Sequence, residues 1–345
     1  MSAFDKYQQY LLPKYSNLPR GRYVSLIVIR KTESETIFRT EGSGEGLVKE
    51  LVRAGRGEDS PNVRRVVISK RKQTAVERRT GRELLREHDL LKKAKDNKNA
   101  DKYGVCMLNT NTPCEQCIDC YLYGFAAGGG GAQKSRVLTD DSFSLGTVAQ
   151  VAARRTFNAT FDTGTMRDPI TKEPSASINS DEYVLPEVHF LDIETLKDVT
   201  HTELCYVIGN IMRSNRYGAI SSRLGRVENK IVAVAFSDCE LFSNLELTQE
   251  VYDLLFDAEF KQMKEKQPDL KPEEVDLPFP LPNQAVEKAV ETATDRLLPG
   301  VFSRRPVLLR GAELQAELDG VQALYTEPER IAALLREQTD SYDKK

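Results

Sequence analysis

Four cysteines stand within fifteen residues, at Cys106, Cys114, Cys117 and Cys120, and the run "CEQCIDC" holds the last three. Thiolates at such short spacing can close a tetrahedral Zn2+ site without a preformed core. With all four positions taken by sulfur, no place is left for water or substrate, so this zinc would be a staple and not a catalyst. Two other readings stand beside it. A ferredoxin-type iron–sulfur cluster expects a further cysteine after three intervening residues, followed by proline, and Gly124 is there instead. The third reading is four unliganded thiols. Cys205 and Cys239 read most simply as small buried hydrophobes. If the metal segment is an insertion, losing it should leave the main sheet folded.

The glycine-rich stretch "GGGGAQKSR", Gly128 to Arg136, follows directly. A P-loop needs a glycine immediately before its Lys-Ser/Thr pair, and a helix after it. Gln133 occupies the glycine position, and "RVLTDDSFSL" alternates like a strand. Catalytic constellations are thin elsewhere. His88, His189 and His201 share no ligand spacing. Adjacent Asp140 and Asp141 on a strand point to opposite faces, which suits no shared acid–base site.

Arginines are the more informative residues. "RSNRYGAISSRLGR" sets Arg213, Arg216, Arg223 and Arg226 around Tyr217, Gly218 and Gly225. Guanidinium groups make bidentate phosphate contacts, and glycine lets backbone amides approach a ligand closely. A polyanion site and a solvated turn are the two readings. Lys70, Arg71, Lys72, Arg78, Arg79 and Arg82 form a second basic group, which precedes or opens a helix.

The charge distribution agrees. Net charge is −3, but Lys49–Lys102 holds seventeen Lys and Arg against nine Asp and Glu, while Asp238–Lys345 holds thirteen against twenty-three. A basic segment beside an acidic one suits a polyanion-binding surface joined to a separate packing or docking region. Hydrophobic residues make up 40% and charged residues 29%, which favours extensive exposed surface. "IVAVAF" is too short to span a bilayer, and the start lacks a secretory pattern. The expected location is the cytoplasm, where thiols serve as ligands more often than as disulfides.

The elements that position these residues follow from pattern. "RYVSLIVIR" and "NVRRVVIS" are strands, with at most a short helix in the glycine-punctuated stretch between them. Thr80-x-x-Glu83 is a capping box that opens "ELLREHDLLKKAK", whose lysines complement the helix dipole. "SRVLTDDSFSL" is one strand. Arg154–Leu196 reads as a long hairpin around a polar Gly/Pro tip. Thr200-x-x-Glu203 opens a helix with Leu204, Val207, Ile208, Ile211 and Met212 on one face, and "RVENKIVAVAFS" is the next strand. Acidic helices run from about Thr248, broken by the Pro-rich Gln267–Asn283, and Thr326-x-x-Glu329 caps the last. Strand, helix, strand, then strand, helix, strand is the order of a ferredoxin-like or RRM-like sheet, although the RRM aromatic signature is absent.

Taken in order, these pieces resemble a known family. A basic helix, a cysteine-rich loop ending at Tyr123-Gly124, a glycine-rich stretch, "SRVLTDDSFSL", a long hairpin ending "EYVLPEVHF" and a Gly/Arg loop run through Arg22–Ser237. The chain resembles the crRNA-binding backbone subunits of CRISPR interference complexes, within the repeat-associated RNA-binding superfamily, and most of all the type I-D backbone subunit. The resemblance implies an α+β fold: a modified RRM/ferredoxin-like palm with an inserted cysteine-rich zinc region, a protruding β-hairpin thumb and C-terminal helices. In residues this is a palm start at 1–48, a basic insertion with helix and four-cysteine zinc region at 49–135, and a palm strand at 136–153. A thumb at 154–190, a palm helix and strand at 191–240, and an acidic helical region at 241–345 complete it.

The implied function is a non-catalytic subunit that polymerises along guide RNA. Its partners would be crRNA, target nucleic acid paired to the guide, other copies of itself, the large subunit and a guide-end-binding subunit. Lys134, Arg136, Arg154 and Arg155 join Lys70, Arg71, Lys72, Arg78, Arg79, Arg213, Arg216, Tyr217, Arg223 and Arg226 as RNA-binding residues. Phe161 and Met166 would form the wedge at the thumb tip, with Arg167 meeting a phosphate. Related type III subunits cut RNA with a loop aspartate; Asp59 in "GEDSPN" holds a comparable place, beside the plainer reading of a solvated loop residue. The rival functions are a nuclease subunit within such an assembly and a zinc-bearing interaction module.

Overall fold

A strand that carries a run of apolar residues on both its faces must lie inside a sheet covered on both sides. β1 (Tyr23–Thr32) is such a strand, buried at eight of its ten positions. The computed structural model describes residues 3–39, 46–91, 105–108, 113–127, 131–158, 160–175, 178–304 and 306–342. β1 runs antiparallel between β10 (His189–Lys197) and β11 (Val227–Ser237). Around these three lie β2 (Lys49–Arg53), β3 (Asn62–Ile68), β6 (Val137–Thr139), β7 (Ser142–Ser144) and β12 (Val307–Arg310). The mixed α/β body is built on this one antiparallel sheet, ordered β12-β11-β1-β10-β7-β3-β2, in which β6 also pairs with β10.

Alternate residues of β1 enter different cores, as the two-residue period of a strand requires. Leu26 and Val28 join Leu84, Leu85, Leu204, Val207, Ile208 and Ile211, from helices α1 (Lys70–Glu87) and α4 (His201–Arg213). Ile27 and Ile29 join Leu247, Val251, Val286 and Val290, from α5 (Asn244–Lys266) and α6 (Asn283–Leu297). The acidic C-terminal segment is stitched into this body: β12 pairs with β11, and α7 (Gly311–Tyr325) and α8 (Pro328–Tyr342) pack on α4. Among the described residues no helix is long and apolar enough to cross a membrane.

The Thr200 capping box with α4, and β11, lie where the sequence pattern puts them. Of the hairpin expected over Arg154–Leu196, only β8 (Ala152–Asn158) and β9 (Ile178–Val184) pair with each other, ending at Val184; the last part is β10, whose apolar residues are taken up beside β1 in the main sheet. Several other elements differ. α1 begins at Lys70, ten residues before Thr80. Its buried face includes Gln73, Glu77 and Arg82, so hydrophobic periodicity could not show it. Asp141 Oδ1 accepts from Lys70 N at 3.0 Å and serves as a cap from a distant part of the chain. Lys92, Lys93 and Lys95 lie outside the described residues.

The stretch before β3 forms strand β2 instead of a helix, because pairing with Asn62–Val66 outweighs local propensity; Leu51 on it stays 64% exposed. "SRVLTDDSFSL" breaks at Asp140-Asp141 into β6 and β7, which pair with opposite ends of β10. In that break Asn244 of α5 donates to the carbonyls of Asp140 and Asp141 and accepts from Ile193 N. α5 starts at Asn244, not Thr248, behind a Ser243/Glu246 capping box. Thr326 ends α7, its hydroxyl donating back to Ala323 O at 2.7 Å, and α8 starts at Pro328 as proline's fixed φ favours.

Candidate nucleic-acid interface and metal centre

The short helix α2 (Ile118–Tyr123) begins directly after Cys117 and carries Cys120 in its first turn. This brings Cys106, Cys114, Cys117 and Cys120 together, all buried, with their sulfurs within 4.8 Å of one another. Cys106 and Cys120 Sγ are 3.7 Å apart, and Cys114 and Cys120 Sγ are 3.9 Å apart. A tetrahedron with Zn–S bonds of about 2.3 Å has edges of about 3.8 Å. Backbone amides of Cys114, Gln116 and Cys117 aim at Cys106 or Cys114 Sγ at 3.3–3.4 Å. Donors directed at sulfur stabilise thiolate, the form that binds metal. The four residues fit a single zinc ion.

The knot is not a detachable insertion. Its cysteines belong to the same core as Leu84, Leu196 and Leu204, and Tyr121 of α2 stacks on Tyr342 of α8 with centroids 4.1 Å apart. The expectation that the sheet core lies outside it is thereby corrected. Asp119, between the last two cysteines, is fully buried. It accepts from Arg78 Nε (3.1 Å) and Nη2 (2.8 Å) and from Arg82 Nη1 (2.7 Å). Arg82 Nη2 also donates to Cys106 O. α1 is thus bound to both ends of the cysteine segment.

Further polar groups lie beneath α1. Arg30 of β1, with no exposed surface, donates to Asp192 Oδ2 (3.0 and 2.8 Å), Glu77 Oε1 (2.9 Å), Tyr217 OH (3.0 Å) and Asn229 Oδ1 (2.8 Å), and lies 3.6 Å from Glu194. Three carboxylates thus surround one guanidinium. With Glu77 and Glu194 both ionised, Glu77 Oε2 and both Glu194 oxygens have no donor. Burial pushes both carboxyls above the ordinary glutamate range, and a proton held between them supplies the missing hydrogen bond.

Outside, Lys70, Arg71, Lys72 and Arg79 are exposed or half-exposed along α1. Lys70, Arg71 and Arg78 form one wall of a cleft of about 720 Å³ floored by β6 and β10, with Ser243 and Glu246 of the α5 N-terminus opposite. Glu240 and Asp140 also line it, so its charge is mixed.

The Gly/Arg loop follows α4. Gly218 and Gly225 have φ of +83° and +82°, and a Cβ on Gly225 would lie 2.1 Å from Tyr217 O. Arg213, Arg216, Arg223 and Arg226 are exposed. Arg213 lies over the Tyr325 ring, Arg216 donates to Leu224 O, and Arg226 pairs with Glu33. Ser214 Oγ donates to Thr80 Oγ1 at 3.0 Å, joining this loop to α1. Two expected site residues are internal. Tyr217 is buried against Arg30, and Arg136 is buried against Glu203, Asp198 O and Tyr121 O. Lys134 is exposed after the hairpin of β4 (Phe125–Ala127) and β5 (Gly131–Gln133); Gly128–Gly130 lie outside the described residues.

The long hairpin follows the short helix α3 (Val148–Val151) and pairs β8 (Ala152–Asn158) with β9 (Ile178–Val184). Arg154 donates to Ser180 Oγ, and Arg155 pairs with Glu35. At the tip, Asp168 accepts from the amides of Ile170 and Thr171, and Arg167 donates to Lys172 O. Phe161 is half-buried, Met166 is 53% exposed and Ile170 is 88% exposed. Ile170 was not singled out by sequence, where one isoleucine in a polar tip carries no periodic signal. Asp59 is exposed in the β2–β3 turn. That turn is latched to α5, where Asp253 Oδ2 accepts from Arg56 N at 2.8 Å.

The sequence profile of the family described as "Csc2 Crispr" matches residues 10–335. The chain belongs to the Csc2 CRISPR family. The crystal structure of Thermofilum pendens Csc2 superposes with a TM-score of 0.58 at 18% identity, over 97% of this chain and 94% of that one. At that identity the likeness shows a shared Csc2 fold. A CRISPR RNA-guided surveillance complex in a pre-nicking state matches with a TM-score of 0.48 at 11% identity, over 92% of this chain and 100% of that one. None of the curated proteins compared with the chain matches significantly. Within the Csc2 fold, Asp119 and Arg82 are the residues the sequence patterns did not assign to the metal centre. The signal available was a lone acidic residue between two ligands, facing a basic helix in need of a partner.

Proposed function

We propose that this chain is a non-catalytic RNA-binding subunit of a CRISPR interference complex of the type I-D kind, which polymerises along the guide RNA in the cytoplasm. Membership of the Csc2 CRISPR family supports a place in such a complex. The observation that carries the RNA reading is the junction of α1 with the Gly/Arg loop at Thr80 and Ser214. It joins the outward-facing Lys70, Arg71, Lys72 and Arg79 to the exposed Arg213, Arg216, Arg223 and Arg226. Cations on a helix and a glycine-rich turn suit a phosphate backbone, which any guide presents regardless of sequence.

The strand order β11-β1-β10-β6, with α1 and α4 on one face, supports an RRM-like palm. The β8–β9 hairpin is the thumb, and Met166 and Ile170 at its tip supply an apolar wedge between stacked nucleotides. Phe161 supports the tip from within, and Arg167 stands beside it. Lys134, Arg154 and Arg155 extend the basic surface, whereas Arg136 and Tyr217 act by holding the fold. The four-cysteine knot holds one structural zinc. The partners are crRNA, target nucleic acid paired to it, further copies of the chain, the large subunit and the guide-end-binding subunit.

The test is the ratio of absorbance at 260 and 280 nm of purified protein, with sequencing of bound RNA and a salt titration. Affinity for single-stranded RNA should fall steeply with salt. Arg216→Ala with Arg223→Ala should weaken binding and flatten that slope by about one unit per lost phosphate contact. Protein that binds no RNA, or prefers one sequence over unrelated ones by about a hundredfold, refutes the reading.

A further inference from the structure

We propose that Asp119 makes the four-cysteine knot the part that positions α1, so that metal binding and RNA binding are coupled; this rests on the reading of α1 as RNA-binding surface. Asp119 lies between two of the sulfur donors, yet its carboxylate is bound by Arg78 and Arg82, one turn apart on α1. Arg82 reaches the other end of the same segment at Cys106 O. The same helix carries Lys72 and Arg79 on its outer side.

Geometry supplies the coupling. An ion held by all four sulfurs fixes Cys106 and Cys120, and with them the Cys106 carbonyl and the Asp119 carboxylate that Arg78 and Arg82 grip. The ion therefore strengthens the hold on the inner side of α1, and a rigid helix transmits any slackening there to its outer cations. Groups that orient a metal site from outside its ligand shell change metal affinity by about 10–100-fold. Linkage requires that a ligand whose binding is favoured by metal favours metal in return by the same factor.

The experiment uses the full chain, zinc alone and a single-stranded RNA of mixed sequence. Zinc loading should tighten RNA binding about tenfold, and RNA should lower zinc loss to a competing chelator by the same factor. Asp119→Asn should bind one zinc per chain and still bind RNA, with the coupling reduced to near unity. Asp119→Glu should restore it. If stripped protein unfolds by circular dichroism, the comparison passes to zinc-loaded Asp119→Asn and Asp119→Glu. Their RNA affinities should then differ about tenfold at equal zinc content. Equal RNA affinity with and without zinc, or equal affinity of the two loaded variants, overturns the proposal. Failure of every form to bind RNA refutes the functional reading on which it rests, and is told apart by zinc binding that persists.

Discussion

Arg30 sits among Glu77, Asp192 and Glu194 with no exposed surface on any of the four. Removing one partner of a buried ionic group leaves the other charges uncompensated, which costs more than the group's net contribution. Arg30→Met should therefore lower stability by about 3–5 kcal/mol, read from the denaturant midpoint. The same cluster sets a pH dependence. Burial raises the folded-state values of Glu77 and Glu194 above the ordinary 4.5. Above that pH the folded protein keeps a proton that the unfolded chain releases, so stability falls as pH rises, until the raised values are passed. The slope is about 1.4 kcal/mol per pH unit for one retained proton. Glu194→Gln should flatten this fall; thermal melts of both proteins across the range decide it, and an unchanged slope would assign the proton elsewhere.

At the scale of elements, α1 is unusual in resting on polar contacts. Gln73 and Glu77 bind the sheet side, while Arg78 and Arg82 bind the knot side. A helix held this way depends on its neighbours' charges as well as on the apolar contacts of Leu84 and Leu85. Because the cysteines share the main core with Leu84 and Leu204, Cys117→Ser should lower the stability of the entire domain and not of a local segment. Hydrogen exchange should then show reduced protection in β1 and α4 as well as around α2. Protection lost around α2 alone would mean that the knot folds independently.

For the whole molecule, the decisive feature is that β8 and β9 form a two-stranded sheet apart from the main one. The sheet and helices place α1 and the Gly/Arg loop side by side, and the segment between β8 and β9 exposes Met166 and Ile170. If the hairpin divides a bound guide into regular intervals, deleting Gly164–Ser175 should spare single-copy binding but abolish periodic nuclease protection of a long RNA. An unchanged periodic footprint would remove the thumb assignment while leaving the arginine result intact.

Local pattern sufficed for the strands β1, β3 and β11, for α4 with its Thr200 capping box and for the grouping of the four cysteines. Each rests on residues near one another in the chain: β-branched runs, a cap three residues from its partner, and ligands at short spacing. Local pattern failed where distant partners set the outcome. α1 begins at Lys70 because Asp192, Arg30 and Asp119 satisfy a polar inner face that no periodicity can reveal. Arg136 and Tyr217 look like surface cations and aromatics until Glu203 and Arg30 are seen to bury them. β2 and β12 take strand conformation through pairing with β3 and β11, and the acidic C-terminal segment becomes part of the core through that same long-range pairing. A charge or a hydrogen bond is assigned by what lies opposite it in space, and for this chain that is most often another part of the sequence.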